Sequence, residues 1–352
     1  MKNHVNIPIF IPHLGCPNQC VFCNQRAISG QSDFCAEAVE GKIRQALSTV
    51  PAGCEREIAF FGGSFTGIDR ELMTSLLACA AGFVERGEAS GIRLSTRPDY
   101  IDGEILAILK RYPVRTVELG LQSLDDRVLA ATRRGHTAAC AERACREVVQ
   151  TGFSLVGQMM IGLPASDGES ERQTARKICE LGADAVRVYP TVVFRDTELA
   201  GMTGSGEYVP LTCEEAVRRT KDVLMIFDGA GIPCIRVGLC AGESLSDPEQ
   251  VLGGANHSAI GELAMGEVYY ERLCRALDKA GYSGGTLTVY VAVGAVSRAS
   301  GQNRRNKVRI CEKYGFEKIK VLEKNEIIGY NIILEHTPAG RAPEGRKNSE
   351  RR

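Results

Sequence analysis

Short apolar runs alternate with longer amphipathic stretches along the first half of the chain. The runs Asn6–Ile11, Glu57–Phe61, Ile92–Thr96, Thr116–Gly120, Leu155–Ile161 and Ala185–Tyr189 are predicted strands. Each is bounded by Gly, Pro or polar residues, as strands buried in a sheet tend to be. Between them, helical patterns cover Glu37–Thr49, Arg70–Glu85, Gly103–Arg111, Ala138–Gln150 and Glu169–Glu180. Strand–helix alternation at this spacing predicts βαβ units, a parallel sheet and hence an α/β fold. After Pro190 the pattern changes. Gly201, Gly204 and Gly206 mark a linker into a helix from Cys213 to about Ala230, and Gly253-Gly254 precede a helix over Ile260–Lys279. The last third reads as strand Thr286–Val293, basic helix Asn303–Tyr314, strand Lys318–Leu322 and strand Ile327–Leu334, a small C-terminal α+β extension. The predicted division is therefore 1–200 for the core, 201–336 for the extension and 337–352 for a polar, basic tail expected to be disordered.

Composition narrows the class. Lys+Arg and Asp+Glu both number 43, so no net charge advertises nucleic acid or a membrane surface. No apolar run approaches the roughly 18–20 residues of a spanning helix. The opening MKNHVN lacks the basic-then-apolar pattern of a signal peptide. The expectation is a cytoplasmic protein without membrane attachment. Its 14 cysteines then do not form a disulfide framework. Eleven are scattered singly and are expected to pack as small hydrophobes.

The other three lie together in Gly15-Cys16-Pro17-Asn18-Gln19-Cys20-Val21-Phe22-Cys23, directly after the first strand. The C-x3-C-x2-C spacing presents three thiolates without an evident fourth. Zinc asks for four tetrahedral ligands, usually from two knuckles. Cys20 and Cys23 make one, Cys16 and His13 could complete it, and no second knuckle follows. A 4Fe–4S cluster normally takes four cysteines; held by Cys16, Cys20 and Cys23, it would keep one iron open for a small molecule.

Active sites of α/β barrels form at the C-terminal ends of their strands. Polar or glycine-rich motifs close the predicted strands here. Phe60-Phe61-Gly62-Gly63-Ser64-Phe65 ends the second, where paired glycines permit close backbone approach. Ser95-Thr96-Arg97-Pro98-Asp99-Tyr100 ends the third, with Asp102 available to cap the next helix. Glu118 and Gln122 interrupt the apolar context of the fourth, and buried polar side chains need partners. Arg133-Arg134-Gly135-His136-Thr137 precedes a helix, with His136 a candidate cap. Gln158 leads into Ile161-Gly162-Leu163-Pro164 after the fifth strand, and Arg187 and Arg195 are candidate anion contacts near the sixth.

In order, the cysteine loop, STRPDY, VELGLQS, RRGHT, IGLP and VRVYPTVVFRDTEL resemble the radical S-adenosylmethionine (SAM) superfamily. Within it, they are most similar to the catalytic subunit of the elongator tRNA-modifying complex, without its acetyltransferase domain. The resemblance implies a partial (β/α)6 barrel and an enzyme that uses a 4Fe–4S cluster on Cys16, Cys20 and Cys23. That cluster would cleave SAM reductively to a 5′-deoxyadenosyl radical, with Phe22 shielding it. It also implies SAM contacts at Gly62, Gly63, Ser64, Ser95, Arg97, Glu118, Gln122, Arg134 and Gln158. A guanidinium such as that of Arg134 can clamp the SAM carboxylate in bidentate fashion. Expected partners are SAM, tRNA modified at a uridine, and an electron donor such as flavodoxin or ferredoxin. The chain departs from elongator subunits in its closer first two cysteines, and the roughly 110 residues after Gly238 are too few for an acetyltransferase. The alternatives are a tetrapyrrole enzyme like oxygen-independent coproporphyrinogen oxidase, against which Gln25 replaces a further cysteine, or a non-catalytic iron–sulfur or haem-binding relative. The basic residues of Arg298–Lys320 add a candidate footprint for RNA phosphates.

Overall fold

The structure, a computed structural model, describes residues 4–11, 14–16, 20–24, 34–51, 53–239, 247 and 249–339. It divides into two compact units, Met1–Ile260 and Gly261–Arg352. The first is built on seven parallel strands: β1 (His4–Ile11), β2 (Glu55–Gly62), β3 (Gly91–Thr96), β4 (Val114–Gln122), β5 (Ser154–Ile161), β6 (Ala185–Pro190) and, beyond β7, β8 (Cys234–Val237). They pair in chain order with β8 beside β6, so the sheet is open between β1 and β8 as in a partial barrel. The predicted six strands are all present. β8 escapes the apolar pattern because it is only four residues long and includes exposed Ile235 and half-buried Arg236. A short antiparallel pair, β7 (Val192–Phe194) with β9 (Val251–Gly254), lies beside the sheet in sequence.

Helices α1 (Val39–Thr49), α2 (Arg70–Glu85), α3 (Gly103–Leu109), α4 (Asp126–Ala131), α5 (Ala138–Gln150), α6 (Gly168–Glu180), α7 (Glu198–Ser205) and α8 (Cys213–Gly229) connect these strands. Their starts are locally encoded. Asp69, Asp102, Thr137, Asp167 and Thr212 each accept a hydrogen bond from a first-turn backbone N–H. Thr137, not His136, caps α5. The sheet's outward positions are apolar and fully buried: Ile58, Phe60, Ile92, Leu94, Val117, Leu119, Val186 and Val188. The alternate positions carry charge in a paired form. Glu57 accepts from Arg93 Nε at 3.1 Å and lies 2.9 Å from His4 Nε2, and Arg187 Nε donates to Glu118 at 2.9 Å.

The second unit opens with α9 (Ile260–Ala280) and has a sheet ordered β11-β10-β12. Central β10 (Thr286–Val291) pairs parallel with β11 (Lys318–Glu323) and antiparallel with β12 (Ile333–Thr337). α10 (Val296–Ser300) and α11 (Arg305–Tyr314) connect β10 to β11. Leu277, Leu287, Val289, Val291, Ile310 and Phe316 form its core. The strand predicted at Ile327–Leu334 is displaced. Ile327 N–H bonds to the Lys324 carbonyl and Asn331 N–H to that of Ile328, so this stretch turns and pairing starts at Ile333. Residues 340–352, most of the expected tail, lie outside the described residues.

The β5–α6 connection is held by a buried carboxylate. Glu171 accepts from Gly162 N–H at 2.7 Å, from Ser166 Oγ at 3.3 Å and from Arg219 Nε of α8 at 2.8 Å. Tyr208 Oη donates to the Gly162 carbonyl at 2.5 Å. Removing one member of a buried ion pair strands the other charge, at a cost of about 3–5 kcal/mol. Glu171→Ala should therefore lower stability by an amount of that order, read as the shift in free energy of urea unfolding.

Candidate active site

At the C-terminal end of β2 the chain runs against the cysteine loop. Gly63 N–H donates to the Ile11 carbonyl at 2.8 Å and Ser64 N–H to the Leu14 carbonyl at 3.1 Å. Gly62 has φ +110°, and a Cβ on Gly63 would collide with the Leu14 carbonyl oxygen. The two glycines are thus required by the loop's own backbone. The other side of the loop is also tied. Val21 N–H reaches the Thr132 carbonyl at 3.3 Å, and Leu199 N–H of α7 reaches that of Val21 at 2.8 Å. Val21 is buried with Val193, Leu199 and Tyr208, and Phe22 packs against this cluster. Cys23 N–H closes a turn onto the Cys20 carbonyl at 2.9 Å.

Two guanidinium groups face the sulfurs. Arg97 Nη1 lies 3.9 Å from Cys16 Sγ and 4.0 Å from Cys20 Sγ, and Arg134 Nη1 donates to Cys20 Sγ at 3.3 Å. Arg97 is held by both oxygens of Asp99, at 2.9 and 2.8 Å, and donates to the Arg134 carbonyl. Arg134 Nη2 donates to the Gly120 carbonyl at 2.5 Å. Burial opposes the Arg97 charge, but Asp99 and the Cys16 and Cys20 sulfurs outweigh it and lift its pKa above the ordinary arginine value. Asp99 is the site residue to which the sequence assigned no role; its signal is an acid two positions after a strand-end arginine.

The other predicted residues sort by environment. Ser64 is fully buried, sharing hydrogen bonds with Thr96 (2.8 Å), which also meets Thr66 (2.6 Å). Ser95 Oγ donates to the Phe60 carbonyl at 3.4 Å. Glu118 is paired with Arg187, whose guanidinium lies 5.4 Å from the Phe61 ring centre; burial pushes the Glu118 carboxyl up against the pull of Arg187 and Arg93. Gln122 adopts φ 65°, a strained value for a side chain of its kind, and accepts from Gln158 Nε2 at 3.4 Å. Arg195 donates to the Glu249 carbonyl at 2.5 Å, and its own carbonyl accepts from Asn24 Nδ2, directly after Cys23, at 3.1 Å. The structure thus groups Cys16, Cys20, Arg97 and Arg134, ties Ser64 to that group through the Arg97 N–H at 3.3 Å, joins Gln122 to Gln158, and sets Glu118 in a pair with Arg187.

Among the described residues, no three His, Cys, Asp or Glu side chains surround one point as ligands of a single metal ion would. His13 lies outside those residues. A 4Fe–4S cluster makes no such demand, since each cysteine binds a different iron. The donor set fits such a cluster: cysteines on one strand-end loop, with cationic N–H donors against their sulfurs. Two buried atoms close by, Arg134 Nε and His136 Nε2, have no partner among the described residues.

Residues 10–178 match the Radical SAM superfamily and residues 183–271 the Radical_SAM C-terminal domain. The chain belongs to the radical SAM superfamily. Its members bind a 4Fe–4S cluster and SAM, and this chain is an enzyme of that kind. It is 27% identical over 230 residues to the uncharacterized protein MJ0486 of Methanocaldococcus jannaschii, covering 62% of this chain and 70% of that one. It is 36% identical over 128 residues to the tRNA uridine(34) acetyltransferase of the same organism, covering 35% of this chain but only 24% of that protein. The fold matches the archaeal Elp3 of Methanocaldococcus infernus with an N-terminal deletion, at TM-score 0.58 and 19% identity, over 80% of this chain and 64% of that one. No helix among the described residues is long and apolar enough to cross a membrane.

Two outcomes test this geometry. Gly63→Ala should push the cysteine loop off β2 and cut iron and sulfide uptake several-fold on anaerobic reconstitution, with the far-ultraviolet circular dichroism retained. His136 offers a pH test: burial first, then the Arg134 charge, lowers its pKa from 6.5 to about 4. Because the folded value is depressed, the unfolded chain takes up this proton first. The associated stability is full above pH 6.5 and is lost as pH falls toward 4. His136→Gln should weaken the decline in urea midpoint between pH 7 and pH 5.

Proposed function

We propose that Cys16, Cys20 and Cys23 hold the cluster and that the enzyme modifies a uridine of tRNA. One observation carries the site assignment: the Arg97 and Arg134 guanidinium groups converge on cysteine sulfurs at the C-terminal end of the sheet. The tRNA reading draws support from the stretch shared with a tRNA uridine(34) acetyltransferase. No acetyl transfer is carried over, because the match covers about a quarter of that protein.

When bound, the cluster and SAM supply reductive cleavage of the sulfonium, giving a 5′-deoxyadenosyl radical for hydrogen abstraction. The chain's own residues have positional tasks. Gly62 and Gly63 let the cysteine loop sit close to β2, and Arg97, braced by Asp99, neutralises charge at two of the sulfurs. Arg134 orients Cys20 through Nη1 and offers its Nε–H, unpartnered among the described residues, to an anionic group of SAM. Gln122 and Gln158 offer amides for a nucleoside. In this reading residues 1–200, with β8 and α8 added to their sheet, carry the chemistry, the rest up to 336 forms an extension, and a flavodoxin or ferredoxin in the cytoplasm supplies the electron.

The test is anaerobic reconstitution with iron and sulfide, then dithionite and SAM, with chromatographic detection of 5′-deoxyadenosine. Wild type should form it, while Cys20→Ala should lose both the cluster absorbance and the product. Undiminished iron in Cys20→Ala would overturn the ligand assignment. Incubation with undermodified tRNA, followed by nucleoside mass spectrometry, should show a mass change confined to uridine.

A further inference from the structure

The second unit carries a charged surface of its own. β10 leads into α10, a loop Gly301-Gln302-Asn303-Arg304, α11 and then β11, which returns parallel to β10. Two helices joined by a tight glycine-led loop and framed by sheet strands are also the core of KH modules. There a G-x-x-G loop clamps the backbone of four nucleotides. Here the second glycine is replaced by Arg304, yet the backbone keeps a glycine-like shape: φ is 53° at Asn303 and 62° at Arg304. Gly301 has φ 75° and ψ 155°, a region essentially restricted to glycine, and a Cβ there would come within 2.9 Å of Asn306 N and Cγ. Asn306 is itself buried, donating to the Gly266 carbonyl at 2.8 Å and that of Ala299 at 3.3 Å. The loop is therefore a rigid elbow that places an arginine at its tip.

Uncompensated charge collects at this elbow. Other arginines of the unit are neutralised: Arg298 by Glu262 at 3.1 Å, and Arg309 by Glu267 at 2.6 Å. Arg304 and Arg305 are exposed and Lys307 half-buried, and none of the three has an ion-pair partner among the described residues. No acidic residue occurs between Val291 and Glu312. Val308, 52% exposed, adds an apolar contact beside the charges. β11 pairs only with β10 among the described residues, and its exposed Lys318 and Lys320 alternate with buried Ile319, so they stand on the sheet face away from α11 and leave the elbow's charge to Arg304, Arg305 and Lys307.

We infer that the elbow Gly301–Lys307 is a clamp for the phosphate backbone of single-stranded RNA. A duplex reader spans about 16 base pairs, far more than one loop presents. An interfacial membrane helix needs a broad apolar face, and α11 exposes only Val308 among its large apolar side chains. The choice of RNA over DNA rests on the tRNA reading of the active site.

Fluorescence anisotropy of the full reconstituted chain, with a labelled single-stranded RNA of about ten nucleotides, tests this. A single-stranded DNA of the same sequence and phosphatidylserine vesicles serve as competitors. The double variant Arg305→Glu with Lys307→Glu should weaken RNA binding roughly tenfold or more near 0.1 M salt, with an unchanged thermal melt. Arg304→Gly should restore the G-x-x-G pattern, fold at least as well, and reduce the slope of log affinity against log salt by about 1. RNA affinity unchanged in the double variant and in Arg304→Gly would overturn the clamp. So would preference for the DNA, or binding to vesicles without binding to RNA. Because RNA binding is read whether or not SAM is cleaved, failure of 5′-deoxyadenosine formation would strike the active-site reading and leave this one standing.

Discussion

Arg97 is the point at which the active end of the first unit is tied together. Its guanidinium is braced by Asp99, donates to the Arg134 carbonyl and lies against the sulfurs of Cys16 and Cys20. Loops after β1, β3 and β4 are thereby linked through one buried cation. A buried charge is costly unless fully partnered, so each of those loops is constrained to the position that partners it. Arg134 repeats the device on a smaller scale, joining Cys20 to the Gly120 carbonyl at the end of β4.

The backbone supplies the complementary constraint. Gly62 and Gly63 admit the loop at Leu14–Gly15, while Thr132 and Leu199 hold its far side at Val21. Side-chain charge and main-chain packing thus act on the same short segment from different directions. Inside the sheet, the pairs Glu57–Arg93 and Glu118–Arg187 fill positions that an apolar core would occupy in a purely structural barrel. Such pairs are weak evidence for stability, and their presence fits a lumen meant to receive a polar molecule.

The second unit solves a different problem with similar means. Asn306 and Gly301 fix an elbow whose backbone would otherwise relax, and the strain at Asn303 and Arg304 is retained because the surrounding packing dictates it. The basic pattern over Asn303–Tyr314 predicts a helix from its first residue. The structure starts it two residues later, at Arg305, because Asn303 and Arg304 are left-handed. Charge that looked like a diffuse stripe resolves into neutralised arginines and a compact unpaired group.

Local rules account for much of what was legible beforehand. The six strands β1 to β6 follow from apolar runs, helix starts from Asp and Thr caps, and the three-cysteine loop from spacing alone. β8, the turn at 324–332 and the left-handed pair Asn303–Arg304 before α11 are not legible in the sequence, because each depends on a few residues whose conformation is set by their surroundings. The same holds for the site. The sequence by itself determined which chemistry-bearing residues sit at strand ends, since strand period and loop position are local properties. Only the tertiary structure decided that Arg97 and Arg134 face the cysteine sulfurs while Glu118 is spent on Arg187. Which charge meets which partner is settled by the pairing and curvature of strands far apart in the chain.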